Sequence, residues 1–539
     1  MGDQSAGSEQ PHTSPTHKPD PGLLQSLVFV ILWAAIFTLA YAQSPLYTSN
    51  QNQYFLHGLA QAGYGNLRAD WLANTLDPTP VFSKLIETSW QLLPWRPVFY
   101  LYFGILAGIY LFSVFGIIEQ IWEQASQPRR WLFLSLLVVL HSAALRYLIS
   151  RTLGVNWDYL LDGGVANQRL LGTVLQPSTF GVLLVLSIFL FLRRSYVWAV
   201  VFLLAATYFH PTYLLSAGVL TAIYMILFFV DSRDLRAALA LGVGALMGVI
   251  PILWQVSATF GGTAPELSAA ARKTLVNLRV PHHALIANWL DASVWVKLGF
   301  VTLALVILWR SQKQPAGTGG NLSVSAKLFH ILFWPTLIVL ILTAVQASTG
   351  NLELALIFPW RLSTWLVPLS MSLVAGWLMF SGLARVPLER YGRGAMVTSL
   401  LLGIIFAGAG AYKFGVSWQK EYNIDERTML AYVQANQQPG EVYLTPIDMQ
   451  DFRLETGAPA FVDFKSIPYK DVEVLEWKRR VQLARSFYAS DKCAPLDQIA
   501  AEGVTHLVLP TGHHASECFG VEQVYLDLFW GVYRFSQAK

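Results

Sequence analysis

Residues 44–95 read SPLYTSNQNQYFLHGLAQAGYGNLRADWLANTLDPTPVFSKLIETSWQLLPW. Strongly apolar segments flank this stretch, and it is too long for a simple helix-to-helix turn. Arg68-Ala69-Asp70-Trp71 sets one carboxylate beside a tryptophan. Asp77-Pro78 reads as a helix start, with aspartate as N-cap and proline in the first helical position. Beyond it Val81, Phe82, Leu85, Ile86 and Trp90 recur at helical spacing, with Ser83, Lys84 and Glu87 between them. That pattern suits a helix lying along a membrane surface.

Composition agrees. Only 13% of the 539 residues are Asp, Glu, Lys or Arg, and 54% are hydrophobic. A soluble domain carries roughly 25% charged residues. The net charge of +4 is small and spread out, which gives no ground for a nucleic-acid partner. Residues 1–21 are polar and rich in Pro, Ser and His, the composition of a disordered tail. Apolar segments then fall at 23–42, 97–118, 131–149, 178–192, 196–209, 212–230, 237–256, 296–309, 328–347, 361–380 and 395–415. Most are near the roughly 20 residues that cross a bilayer, so about eleven spans are expected. The first ends Ala40-Tyr41-Ala42, which is like a signal-peptidase site. It is long for a signal h-region, and only Lys18 is positive before it, so a retained anchor is the favoured reading.

The fold class expected is mainly α: a polytopic transmembrane bundle over 22–415, with long loops at 43–96, 150–177 and 257–295, and a small α/β domain over 416–539. Arg129-Arg130, Arg193-Arg194, Arg233 with Arg236, Arg310 with Lys313, and Arg385 with Arg390 and Arg393 occupy the short connections. Positive loops stay inside, which sets the N-terminus in the cytoplasm and the long loops and C-terminal domain outside a plasma or inner membrane. In the tail, 425–437 and 470–488 read as helices, 441–444, 460–464 and 505–509 as strands, and 524–535 as a hairpin.

Asp70 is the sharpest candidate. A carboxylate just above a membrane can act as general base or ligate a divalent metal; equally, it can cap a short helix. In the second long loop Asp158 and Asp162 are four apart and would share a helix face, with Trp157 and Tyr159 for apolar contact; a solvated turn is the alternative. Arg146, Arg151, Arg169 and Arg361 fall at the ends of apolar segments. Arginine suits bidentate phosphate contact, and snorkelling to headgroups is the other use for it there. Adjacent His282 and His283 point to opposite faces if extended. His513, His514 and Cys518 match no strong metal spacing. Cys493 and Cys518 are the only cysteines, and a disulfide is the better reading outside the cytoplasm.

A first loop with an acidic residue and a surface helix, then many spans and an extracytoplasmic α/β tail, resembles the GT-C superfamily of integral-membrane glycosyltransferases. The tail segment 451–457, DFRLETG, followed by FVDFKS at 461–466 and Trp477, also resembles an uncharacterised bacterial membrane family related to that fold. GT-C enzymes usually carry paired acids in the first loop, whereas Asp70 stands alone. The resemblance implies a polyprenyl-phosphate-linked sugar as donor and Asp70 as the catalytic group. Arg68, Trp71, Asp158, Asp162, Arg169 and Arg361 would bind substrate. A divalent metal such as Mg or Mn is optional in the superfamily. Two other classes stay open: a non-catalytic membrane partner with this scaffold, and a lipid or solute transporter.

Overall fold

A computed structural model describes residues 21–123, 125–312, 322–384, 386–490, 493 and 495–536. The expected N-terminal tail, and Lys313 and Arg385 of the basic connections, lie outside the described residues.

Every apolar segment is helical. Among the described residues seven helices are long and apolar enough to cross a membrane: Val98–Glu119, Pro211–Ser232, Leu235–Thr259, Ala292–Ser311, Val324–Thr349, Leu352–Gly382 and Leu388–Tyr422. Gln127–Leu140 and Ala143–Leu153 make an eighth if the pair, bent by 51°, is one span. The bend has a local cause. Ser142 is extended and its hydroxyl accepts the Leu145 N–H at 3.2 Å, which starts a new helix. Gln25–Tyr41, Pro177–Leu192 and Tyr196–Phe209 are shorter apolar helices. The last ends where extended His210 precedes Pro211, since the residue before proline disfavours the helical region.

The helix Leu235–Thr259 exposes Leu239, Val243, Leu246, Met247, Ile250 and Trp254. A contiguous apolar face of that kind suits lipid, not water. By contrast, Ser363–Trp377 is buried on all sides and forms the middle of the bundle. At one end of the bundle Arg129 donates to Glu389 at 3.0 Å and to the carbonyls of Leu383, Ala384 and Val386. Lys327 pairs with Asp231 there. The long connections and the C-terminal unit gather at the other end.

The first of those connections is built of short helices, Gln51–Tyr54, Leu56–Gln61 and Pro80–Leu92, with 3₁₀ turns Leu67–Ala69 and Leu72–Asn74. The expected start at Asp77-Pro78 is corrected by two residues. Asp77 Oδ1 accepts the Thr79 N–H at 2.8 Å in a tight turn, and Pro80 takes the first helical position. Phe82 and Ile86 are fully buried against the protein, with Phe55 linking Phe82 and Phe99 at ring distances of 5.7 and 4.9 Å. Gly58 allows the approach, because a Cβ there would lie 2.5 Å from the Ser83 carbonyl oxygen. Leu92, Leu93 and Trp95 at the far end are exposed and are the part suited to a bilayer.

The C-terminal unit holds a four-stranded sheet of β1 (Tyr443–Leu444), β2 (His506–Pro510), β3 (Val521–Leu526) and β4 (Trp530–Phe535), in the order β1-β2-β4-β3. β1 and β2 are parallel, with Tyr443 opposite His506; the other pairs are antiparallel. The helix Asp471–Tyr488 covers the sheet, and Trp477 is its fully buried anchor. Ala271 and Leu275 from the third long connection share that core, so the unit is packed onto the bundle's connections. Residues 460–464 form no strand beyond a single bridge from Ala460 to Tyr443. The Ala460 N–H and carbonyl are taken instead by Asp70 and Arg453. Cys493 and Cys518 are bonded, their Cα atoms 5.7 Å apart.

Candidate functional site

Asp70 lines neither of the two described cavities and takes the capping alternative, which corrects the expectation of a catalytic group. It is fully buried. Its Oδ1 accepts the N–H groups of Leu72 at 2.8 Å and Ala73 at 3.3 Å, capping the turn Leu72–Asn74. Its Oδ2 accepts from Arg453 Nε at 2.6 Å and from the Ala460 N–H at 2.9 Å. Arg453 also pairs with Asp463, and all three side chains are out of solvent. Asp463 is pushed above the ordinary carboxylate range by burial, against the pull of Arg453. With both oxygens engaged, Asp70 has no lone pair aimed at a substrate. It is a buried tie between the first connection and the C-terminal unit.

A cavity of about 860 Å³ lies beside that tie, between the end of the bundle, the long connections and the C-terminal unit. Arg169, Arg272, Arg279, Arg361 and Lys465 line it, with Glu353 and Asp471 as its carboxylates. Arg272 and Glu353 pair at 2.9 Å, which leaves four cations and Asp471.

Each cation has its own support. Arg169 stacks on Tyr159, its guanidinium carbon 3.7 Å from the ring centre. Arg361 lies in the turn Pro359–Leu362, after a left-handed Phe358 at φ 52°, and donates to Nε2 of His210 at 3.3 Å. Arg279 ends the π-helical turn Leu275–Arg279 and donates to the Lys465 carbonyl. The Nε groups of Arg279 and Arg361, both amide atoms of Gln168 and the Thr212 hydroxyl are enclosed without a hydrogen-bond partner among the described residues.

The electrostatics follow from this crowding. Burial, and then the Arg279 charge, lower the Lys465 ammonium to about 8. Burial, and then His282, lower His283 to about 3. His283 Nδ1 donates to the Ala166 carbonyl at 2.7 Å. Burial also lowers His282, with Arg279 and Lys465 adding to the effect. The imidazoles are therefore neutral at physiological pH, and four cations share the cavity with the one carboxylate Asp471. Such a cluster is unfavourable when empty and favours a multi-oxygen anion. Among the described residues no group of three or more His, Cys, Asp or Glu is placed to hold a metal.

The structure brings Arg169 and Arg361 together at the cavity and sets the other expected residues elsewhere. Arg68 is exposed and donates to the carbonyls of Ala60 and Gln61. Trp71 lies under Arg480, 4.4 Å from its guanidinium carbon. Asp158 and Asp162 do not share a helix face, because 158–162 is a run of turns. Asp162 is buried against Arg146 at 3.3 Å, while Asp158 stays half-exposed. Burial raises Asp158, with Arg169 opposing. Arg279, Lys465 and Asp471 were missed as site residues. The signal present in sequence was charge within otherwise apolar runs, Leu278-Arg279-Val280 and Phe464-Lys465-Ser466-Ile467.

Residues 424–484 match a domain of unknown function, DUF6798. The matched segment carries Arg453, Asp463, Lys465 and Asp471. No curated protein matches the chain.

Proposed function

We propose that this chain is a GT-C-like membrane glycosyltransferase that takes a sugar from a polyprenyl-phosphate donor, with the phosphate held by Arg169, Arg279, Arg361 and Lys465. The observation that carries the reading is the convergence of these four side chains, from three separate connections and the C-terminal unit, on one cavity at the end of an apolar bundle. Guanidinium forks match phosphate oxygens in pairs, and lipid-facing helices beside the cavity suit a polyprenyl tail. In this reading all eleven apolar helices cross a bacterial inner membrane, the N-terminus is cytoplasmic, and the cavity and C-terminal unit are outside. The basic connections at the opposite end of the bundle support that orientation. In the transfer, an acceptor hydroxyl oxygen bonds to the anomeric carbon, and its proton passes to the departing phosphate oxygen. The bond from that carbon to the phosphate oxygen breaks, and polyprenyl phosphate leaves with the electron pair. Fixed cations stabilise the charge gathering on the leaving phosphate.

The test is binding of polyprenyl monophosphate to the full chain in nanodiscs. Losing a charged hydrogen bond costs about 1.5–3 kcal/mol, so Arg279→Gln and Arg361→Gln should each weaken binding roughly 10–100-fold. Unchanged affinity in both would refute the phosphate assignment. A second reading, a non-catalytic partner that binds the same lipid, is favoured by the full engagement of Asp70. Altered glycans or lipid-linked sugars in a deletion strain, and sugar transfer by the purified protein, would select the enzyme over it.

A further inference from the structure

Asp471 is the anomaly of the cavity. It is 3% exposed, opens the helix Asp471–Tyr488 and lines the cavity wall. Its Oδ2 has no hydrogen-bond partner, and no ion pair reaches the carboxylate among the described residues. The other cavity carboxylate, Glu353, is neutralised by Arg272. An aspartate in a first helical turn gains about 0.3–1 kcal/mol from the helix dipole. Burying an unpaired carboxylate costs several kcal/mol, so the dipole does not account for it. A hydrogen-bond donor brought into the cavity would. A cationic donor would meet Arg169, Arg279, Arg361 and Lys465 on the same walls. That leaves a neutral donor attached to an anion, which is the chemistry of a sugar hydroxyl on a phosphate.

We propose that Asp471 binds a hydroxyl of the sugar carried on a polyprenyl phosphate and makes the cavity prefer the glycosylated lipid to the bare one. The inference rests on the phosphate-binding reading above and adds the group that reads the sugar. It also separates two tasks within the site: the cations hold what both lipids share, and Asp471 holds what only the donor has.

The experiment is competition binding by the full chain in nanodiscs. The probes are polyprenyl monophosphate and polyprenyl-phosphate-linked glucose, mannose, galactose and N-acetylglucosamine. The parent protein should prefer at least one glycosylated lipid by about 10–100-fold, the range of one charge-assisted hydrogen bond. Asp471→Ala should abolish that preference and bind the bare lipid at least as tightly, because it removes a negative charge from a cationic cavity. Asp471→Asn keeps the shape, so it should unfold no earlier than the parent and also lose most of the preference. A preference that survives in both variants overturns the proposal. So does a parent protein that binds every lipid equally, the result expected if water alone satisfies the carboxylate. Failure of the parent to bind any of the lipids would instead reject the phosphate reading on which the proposal stands.

Discussion

Replacing Arg453 with glutamine tests how the first connection and the C-terminal unit are held together. The guanidinium donates from Nε to Asp70 at 2.6 Å, to Asp463, and to the Ala460 carbonyl at 2.9 Å. The variant leaves two carboxylates buried without their cation. Removing one partner of a buried ion pair costs about 3–5 kcal/mol, and the loss should fall in the upper part of that range at neutral pH. Protonation offers partial relief. Burial already raises Asp463 while Arg453 opposes the rise, so without the arginine Asp463 is the group that takes a proton. A carboxyl whose pKa is higher folded than unfolded stabilises the fold at low pH, and the effect is lost as pH rises through the folded value. The deficit of Arg453→Gln should therefore be smaller at about pH 5 than at about pH 8. Thermal unfolding of the full chain in detergent measures it. Asp70→Asn completes a cycle, and it is not a silent change: in either orientation the amide NH2 points at donors, Leu72 and Ala73 on one side or Arg453 and Ala460 on the other. The two changes should couple by about 0.5–3 kcal/mol. An Arg453→Gln protein within about 1 kcal/mol of the parent, or strictly additive variants, would refute the account.

Three further outcomes can be checked. The Cys493–Cys518 bond closes a loop with a sequence separation of 25; replacing both cysteines with alanine should lower stability by about 3–4 kcal/mol, read by thermal unfolding with and without reductant. Lys465, lowered to about 8, loses its charge as pH rises past that value. Polyprenyl phosphate affinity should then fall above about pH 8, where the lipid phosphate is already fully ionised, and Lys465→Arg should flatten the profile. The unliganded protein should gain stability over the same rise, because a depressed ammonium penalises the fold only below its unfolded pKa. Gly65 has φ 54°, and a Cβ there would overlap the Gly457 backbone. Gly65→Ala should destabilise by more than about 1 kcal/mol, with early proteolysis at the junction as the readout.

The bundle was legible because its signal is local: each apolar run in the sequence is a helix in the structure. Span length was less so, since Arg193-Arg194 and His210-Pro211 cut two helices short while the apolar run continues around them. The helix Asp471–Tyr488 and the hairpin β3–β4 followed from periodicity. Residues 460–464 misled because the apolar run Ala460-Phe461-Val462 also suits a buried segment whose first residue gives its backbone bonds to charged side chains. The site was half legible. Arg169 and Arg361 carried the signal of charge at the end of a span, whereas Arg279, Lys465 and Asp471 reach the cavity through tertiary packing that no spacing encodes. Asp70 stood out for a sound reason, as an acid set between Arg68 and Trp71 in a structured connection, but its partner Arg453, and Asp463 on the other side of that arginine, are nearly 400 residues on.

Those partners give Asp70 a different relation to the site. Asp463 accepts the Ser466 N–H at 2.6 Å, and its carbonyl accepts the Trp477 indole N–H at 3.0 Å. The segment so fixed carries Lys465, Ile467, Tyr469 and Asp471, all on the cavity wall. Gln53 of the first connection reaches the same segment, donating to the Tyr469 hydroxyl at 3.0 Å. Asp70 thus holds Arg453, Arg453 holds Asp463, and Asp463 sets the segment that presents a phosphate-binding lysine and the unpaired aspartate. A positioning role and a catalytic role predict different measurements for Asp70→Asn. A general base acts on the acceptor proton, so its loss would cut turnover by about 10²–10⁴ and leave the affinity for bare polyprenyl phosphate untouched. A positioning residue, once loosened, lets Lys465 move, and bare-lipid affinity falls with it. We expect the second pattern, with bare-lipid binding weakened severalfold in a protein that also unfolds earlier. A folded Asp70→Asn protein that binds the bare lipid as the parent does, yet transfers no sugar, would return Asp70 to the chemistry and remove it from the frame.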